Sequence, residues 1–272
     1  MNRKFLKNMA MDVSSNSCQN NHFRINKKLR VLYPLLILLI ISALSFSCRT
    51  FLGSQNSLSK SEVAEGWILM FDGKTTDGWR GYNREGFPAT GWIIEDGTLA
   101  CISGRLDRSE RGGDIIFDQK FLNFHLKLDW KIEEVGNSGI FYLAREIPRT
   151  AIWQTAPEFQ LLDNERNPDA LRGVNNNRKS ASLYDILPAV PQNANPAGKW
   201  NSAEIIVNNG YVTHRQNGVD VVKFQIGTPE WDAMVDKSKF NVELFGKFLE
   251  GYIGLQDHGN DIWFKNIKIR SL

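Results

Sequence analysis

Residues 124–133 read FHLKLDWKIE, and the two kinds of side chain alternate without a break. Phe124, Leu126, Leu128, Trp130 and Ile132 point one way; His125, Lys127, Asp129, Lys131 and Glu133 point the other. A period of two is the mark of a strand with one face buried, because successive Cβ atoms leave opposite sides of a pleated chain. Outward from this strand the same signal recurs. Residues 140–143 (IFYL) form a continuous apolar run, as expected of a central strand covered on both sides. Residues 204–207, 211–216 and 219–225 are short strands punctuated by Asn209-Gly210 and Asn217-Gly218. Asn-Gly tolerates the positive φ angles of a tight hairpin turn, so these three predict a meander. Residues 252–256 and 262–270 are expected to close the fold as a pair around the loop 257–261. Only residues 230–239 (EWDAMVDKSK) suggest a helix. The fold class that follows is an all-β sandwich of jelly-roll type with one long loop insertion, residues 164–200. An excursion of that length inside a compact domain calls for a functional explanation.

The N-terminal part has a different character. Residues 31–46 (VLYPLLILLIISALSF) follow the basic residues Arg24, Lys27, Lys28 and Arg30 and end just before Ser47-Cys48. A basic lead-in, an apolar run and a small-residue junction make an export signal. The run of 16 residues is shorter than the roughly 20 that a spanning helix needs. Cys48 after a small residue resembles the lipobox of bacterial lipoproteins, which implies lipidation at Cys48 and a lipid-anchored, exported envelope protein; the other reading is an uncleaved N-terminal anchor, and either one places the remainder outside the cytoplasm. Residues 1–47 are then leader, 48–65 a Ser-rich tether and 66–272 the working domain. The leader carries seven of the 33 Lys+Arg and one of the 30 Asp+Glu, which leaves 26 bases against 29 acids. The domain is therefore mildly acidic, and no nucleic-acid partner is expected. Beyond Cys48 the one remaining cysteine is Cys101, so neither an internal disulfide nor a cysteine zinc site can form there.

The familiar catalytic signatures are missing: no G-x-S-x-G, no H-E-x-x-H, no phosphate loop and no dinucleotide fingerprint. Polar residues set into strands stand out instead. In residues 157–163 (PEFQLLD), Glu158 and Gln160 share a face; in residues 254–259 (GLQDHG), Gln256 and His258 share another. His125 and His214 alternate with strand apolars and are expected to be solvated. Trp79, Trp92, Trp153 and Trp231 could stack on sugar rings, although a sandwich places most tryptophans in its core or rim.

Seven segments occur in order: GWILMFDGKTTDGW (66–79), DWKI (129–132), NSGIFYLAR (137–145), EFQLLDN (158–164), LYD (183–185), KWNSAEIIV (199–207) and GYIGLQDHGNDIWFKNIKIR (251–270). Together they resemble the 3-keto-disaccharide hydrolase family, also described as 3-keto-glucoside 1,2-lyases and 3-keto-2-hydroxy-glucal hydratases. The resemblance implies a concanavalin-like jelly-roll sandwich and an exported lipoprotein. It also implies a chemistry. A ketone at C3 acidifies the C2 proton, the glycosidic oxygen at C1 leaves by elimination, and water adds back, so the net result is hydrolysis. The substrate would be an oxidised 3-keto-glycoside, supplied by a separate sugar 3-oxidoreductase.

Such a site needs a base near C2, an acid near the leaving oxygen and a donor or cation at the enolate oxygen. The matching segments supply Glu158 or His258 for proton transfer and Tyr184 as acid or enolate donor. Gln160, Asn201 and Gln256 would hold sugar hydroxyls, and Asp163 would orient a neighbour in the substrate-binding set. A divalent cation on Glu158, Asp163 or His258 would also stabilise an enolate. The expected arrangement sets the two polar faces side by side on the concave sheet, with the insertion folded over them. Two other readings stay open. One is a conventional glycoside hydrolase with a carboxylate pair roughly 5–5.5 or 6.5–9.5 Å apart; the other is a carbohydrate-binding module without catalysis.

Overall fold

The alternating segment is a strand from Phe124 to Ile132, and its apolar side chains enter the main core while Lys127, Asp129 and Lys131 remain partly exposed. The structure, a computed structural model, describes residues 54–272. The leader and Cys48 lie outside the described residues.

Among the described residues thirteen strands follow one another: β1 (Ile68–Leu69), β2 (Trp79–Gly81), β3 (Trp92–Glu95), β4 (Thr98–Ile102), β5 (Ile115–Phe121), β6 (Phe124–Ile132), β7 (Asn137–Ala144), β8 (Glu158–Leu162), β9 (Asn201–Asn208), β10 (Tyr211–Gln216), β11 (Val219–Gln225), β12 (Gly251–Leu255) and β13 (Asp261–Ser271). They form two antiparallel sheets. The larger runs β11-β10-β9-β6-β13-β4-β3 with β1 on β13; the smaller runs β2-β5-β12-β7-β8. This is a jelly-roll sandwich. Between the layers pack Leu126, Leu128 and Trp130 of β6, Ile140 and Tyr142 of β7, Phe159 and Leu161 of β8, Ile253 and Leu255 of β12, and Phe264 of β13. Each fully buried aliphatic or phenyl side chain contributes about 1.5–3 kcal/mol, so the alternation itself supplies most of the drive to form the layers. The meander β9-β10-β11 turns at Asn209-Gly210 and Asn217-Gly218, all four residues at positive φ.

Four expectations need correction. The last two strands do not pair with each other. β12 sits between β5 and β7 in the small sheet, whereas β13 pairs with β4 and β6 in the large one. Ile253 and Leu255 face the interlayer core from one side and Ile262 and Phe264 from the other, so the loop 256–260 is a crossover. The expected helix is shorter than residues 230–239. Of the two α-helices among the described residues, α1 (Lys60–Ala64) and α2 (Pro229–Asp236), the second starts on a Thr228 cap and stops before Lys239.

The histidines are not solvated either. His125 lies under Trp67, with ring centroids 5.0 Å apart, and its Nε2 is 2.6 Å from Glu204. His214 has no exposed surface. His125 lies on an outer face that Trp67 covers, whereas His214 shares the inner face with Val212 and meets Tyr142 in the core. Finally, the tether expected over residues 48–65 is docked from Ser54 onward. Asn56 and Asn266 exchange backbone and side-chain hydrogen bonds at 2.7 and 2.8 Å, and Glu62 of α1 pairs with Lys268 of β13. Asn266, at positive φ in a bulge of β13, is turned to receive that segment.

Candidate active site

On the small sheet, residues of β8 alternate between the core and the outer face. Phe159 and Leu161 go inward, so Glu158 and Gln160 project outward, away from the large sheet. The outer face holds a pocket of about 400 Å³ lined by Asn137, Trp153, Glu158, Gln160, Tyr184, Lys239, Phe240, Gln256 and His258. Glu158, Gln160, Gln256, His258 and Tyr184 thus meet in one cavity.

They do not meet on adjacent strands as expected. β7 lies between β12 and β8, and what makes room is Gly139. It pairs with Gln160 across the ladder, and its carbonyl accepts the Gln256 amide at 3.0 Å. A Cβ at Gly139 would fall inside the Glu158 carboxyl. The missing side chain is what allows a carboxyl from the edge strand to lean over the middle of the sheet. Gln160 sits beside it. With its amide turned to meet complementary atoms, its nitrogen is 2.9 Å from the Ser138 carbonyl and 3.0 Å from Glu158 Oε1.

The insertion supplies the wall. Three hydrogen bonds join it to the free edge of β8: Tyr184 N to the Glu158 carbonyl (3.1 Å), Gln160 N to the Ser182 carbonyl (3.1 Å) and Ala181 N to the Gln160 carbonyl (2.8 Å). Pairing of this kind covers an edge that would otherwise present bare amides, and it sets Tyr184 beside Glu158. His214 secures the wall from beneath. Its Nδ1–H donates to the Ala181 carbonyl at 3.0 Å, and its Nε2 accepts the Tyr142 hydroxyl at 2.8 Å. Full burial pushes His214 down to about 4 and keeps it neutral.

Burial also dominates the Glu158 carboxyl and pushes it up to about 8. Lys239 pulls it down, and Asp114 and Asp169 push it further up. Asp114, just before β5, is itself pushed up to about 7 by burial. Tyr184 donates to Asp169 Oδ2 at 2.5 Å, and Arg178 bridges Asp169 (2.9 Å) and Asp185 (2.5 Å). His258 stands at the mouth, its surface open to solvent yet enclosed enough by protein that desolvation lowers it from the ordinary imidazole range. Its loop is held by Asp257, which accepts from Ser103 Oγ (2.7 Å), Gly113 N (2.9 Å) and Gly259 N (3.0 Å). Within the pocket lining, Gln256 Oε1 is a buried acceptor with no protein partner, which in a pocket invites a ligand donor.

Two expected substrate contacts lie elsewhere. Asp163 is buried and accepts from the backbone amides of Val135 (2.9 Å), Glu165 (3.1 Å) and Arg166 (3.3 Å), fastening the turn before β7 to the start of the insertion. Asn201, at the start of β9, is bound to Asn195 N (2.6 Å) and Asn217 Nδ2 (2.9 Å). Of the three residues named for a divalent cation, Glu158 and His258 line the pocket and Asp163 does not, and among the described residues no group of three acid, imidazole or thiol ligands stands together. Of the four tryptophans, Trp79, Trp92 and Trp231 are core, and Trp153, 39% exposed, lines the pocket against Phe240.

Asn137, Lys239 and Phe240 escaped the sequence reading. Asn137 sits in the NSG segment two residues before Gly139; that pattern was the one available signal. Lys239 and Phe240 lie in an ordinary-looking stretch after α2. A wider cleft of about 580 Å³ lies on the large sheet beneath residues 54–62. Most of its charges are paired, Lys268 with Glu62, Lys127 with Glu204 (3.8 Å) and Asp129 with Asn266 Nδ2 (2.6 Å), and Lys60 is exposed at its rim.

Residues 66–270 match the 3-keto-alpha-glucoside-1,2-lyase-like domain. A curated relative from Bacteroides thetaiotaomicron, named 3-keto-disaccharide hydrolase, is 43% identical over 252 residues, covering 85% of this chain and 87% of the relative. A crystal structure from Parabacteroides distasonis ATCC 8503, provisionally assigned as a glycosyl hydrolase, superposes with a TM-score of 0.70 at 32% identity, covering 80% of this chain and all of that one. A second structure of the same assignment and source gives a TM-score of 0.59 at 26% identity, over 76% of this chain and 99% of the other.

Proposed function

The chain belongs to the 3-keto-alpha-glucoside-1,2-lyase-like domain family, and from that premise we propose that it cleaves 3-keto-disaccharides in this pocket by elimination and hydration. The observation that carries the reading is Glu158, a buried carboxyl pushed up to about 8 in a cavity of sugar size. A proton-transfer group works best with its pKa near the working pH. Glu158 takes the C2 proton, whose acidity comes from the neighbouring ketone. C1 is adjacent to C2, so the same carboxyl then hands a proton to the departing glycosidic oxygen. His258, neutral at the mouth, activates the water that adds at C1. Gln256 Oε1 accepts from a ring hydroxyl, and Trp153 supports a sugar face at the rim. Tyr184 has its proton committed to Asp169 and serves as a wall rather than an acid. The ketone must come from a separate oxidoreductase that acts at C3.

The test is turnover by purified protein of a 3-keto-disaccharide against the same disaccharide unoxidised. Release of monosaccharide from the oxidised sugar alone is expected. Equal release from both would mean conventional glycoside hydrolysis, and binding of either without release would remove the catalytic reading.

A further inference from the structure

When the C2 proton leaves, negative charge arrives at the C3 carbonyl, and no role so far assigned receives it. Tyr184 is occupied by Asp169. Lys239 lines the same pocket. Its backbone N–H is fixed to Asp185 Oδ2 at 3.0 Å, and its Nζ stands 4.0 Å from the Tyr184 ring centroid and 5.1 Å from that of Phe240. Among the described residues the Nζ enters no ion pair and no hydrogen bond. An amine held by aromatic walls, facing a buried carboxyl in a cavity for a ketone substrate, has the placement of a carbonyl-reactive lysine. The charged groups around it are Glu158, Asp169 and Asp185, which favour the ammonium, and Arg178, which opposes it; desolvation outweighs them and lowers Lys239 from the ordinary range.

We propose that Lys239 forms a Schiff base with the C3 ketone of the substrate, an inference that deepens the proposed function and rests on it. The Lys239 nitrogen attacks C3, one amine proton passes to the carbonyl oxygen and the Glu158 carboxylic acid gives it a second, so the oxygen leaves as water and an iminium and the Glu158 carboxylate remain. Glu158 removes the C2 proton; the C–H pair becomes the C2–C3 double bond, and the iminium π pair settles on nitrogen as an enamine. The enamine pushes back, the C1–O bond breaks with its electron pair on oxygen, and Glu158 returns the proton there. Water adds to C1 of the conjugated iminium and its proton passes to C2, and a second water hydrolyses the iminium to free Lys239 and the 3-keto sugar, returning a proton to Glu158. One water enters at C1, and the water lost on condensation is regained on release, so the balance is simple hydrolysis. Nitrogen thus carries the charge that an enolate oxygen would otherwise hold.

The experiment is reductive trapping. The full-length protein is incubated with a 3-keto-disaccharide and cyanoborohydride, which reduces an iminium faster than a ketone, and its peptides are mapped by mass spectrometry. A reduced sugar adduct on Lys239 is expected in the wild type. Lys239→Met and Lys239→Arg, each checked for an unchanged melting transition, are both expected to lose at least about 10³-fold in turnover, since a guanidinium keeps the charge but cannot condense. Absence of the adduct overturns the inference whether or not the enzyme turns over. So does an arginine variant within tenfold of wild type, which would leave Lys239 a purely electrostatic role. Failure of the wild type to cleave the oxidised sugar is a separate result and overturns the functional reading instead.

Discussion

At the scale of single residues, Glu158 decides both chemistry and part of the pH response. Its folded-state pKa lies above the ordinary 4.5, so the folded protein binds a proton that the unfolded chain releases between pH 4.5 and about 8. The stability associated with the protonated form is complete below pH 4.5 and is lost as pH rises through about 8. Glu158→Gln keeps the shape and removes the titration. It should cut turnover by roughly 10²–10⁴-fold, the usual cost of losing a general acid or base. Urea titrations should find it more stable than wild type at pH 9, with the advantage shrinking toward pH 5. An equal stability difference at both pH values would show that Glu158 does not titrate as a buried carboxyl. Gly139 makes the complementary case. Gly139→Ala places a methyl where the carboxyl now lies, so turnover should fall by about 10²-fold or more through misplacement. Its circular dichroism spectrum should match wild type.

At the scale of elements, the insertion is a wall because β8 is an edge strand and His214 reaches it from β10. Replacing His214 by Phe leaves the Ala181 carbonyl and the Tyr142 hydroxyl without their partner, and a buried polar group left unpaired costs about 1–3 kcal/mol. Hydrogen exchange at the amides of residues 181–184 should accelerate in His214→Phe, and KM should rise more than kcat falls. The same contact gives an acid limit. A histidine held neutral, with its pKa lowered to about 4, contributes stability that is present above 6.5 and is lost as pH falls through 4. Wild type should therefore lose stability across that window and His214→Phe should lose less of it, as read by melting temperature. The sequence pattern placed His214 on a strand and could not tell which face was covered, because the residues that cover it lie 33 positions away.

At the scale of the whole molecule, the leader and the folded domain pose separate questions. We propose export and lipidation at Cys48. Mass spectrometry of the protein purified from its host should find a mature N-terminus at a diacylated or triacylated Cys48. An unmodified cysteine, or a start at any other residue, would remove the lipoprotein assignment.

The sequence by itself determined the sandwich, because burial on a strand repeats every two residues and a repeat needs no distant information. It also determined the meander, whose Asn-Gly turns are local, and it supplied five of the pocket residues, Glu158, Gln160, Tyr184, Gln256 and His258, through segments that resemble a family. Only the tertiary structure decided which of the polar residues touch. Asp163 and Asn201 sit in equally suggestive segments, yet their hydrogen-bonding capacity is taken up by backbone and side-chain partners within the domain. Lys239 carries no local mark and Asn137 only its place in the NSG segment, and both join the pocket lining only because the chain crosses between sheets and the insertion folds back on β8. A carboxyl's pKa and a lysine's reactivity depend on what excludes water and which charges stand opposite, and those neighbours come from parts of the chain that no local pattern joins.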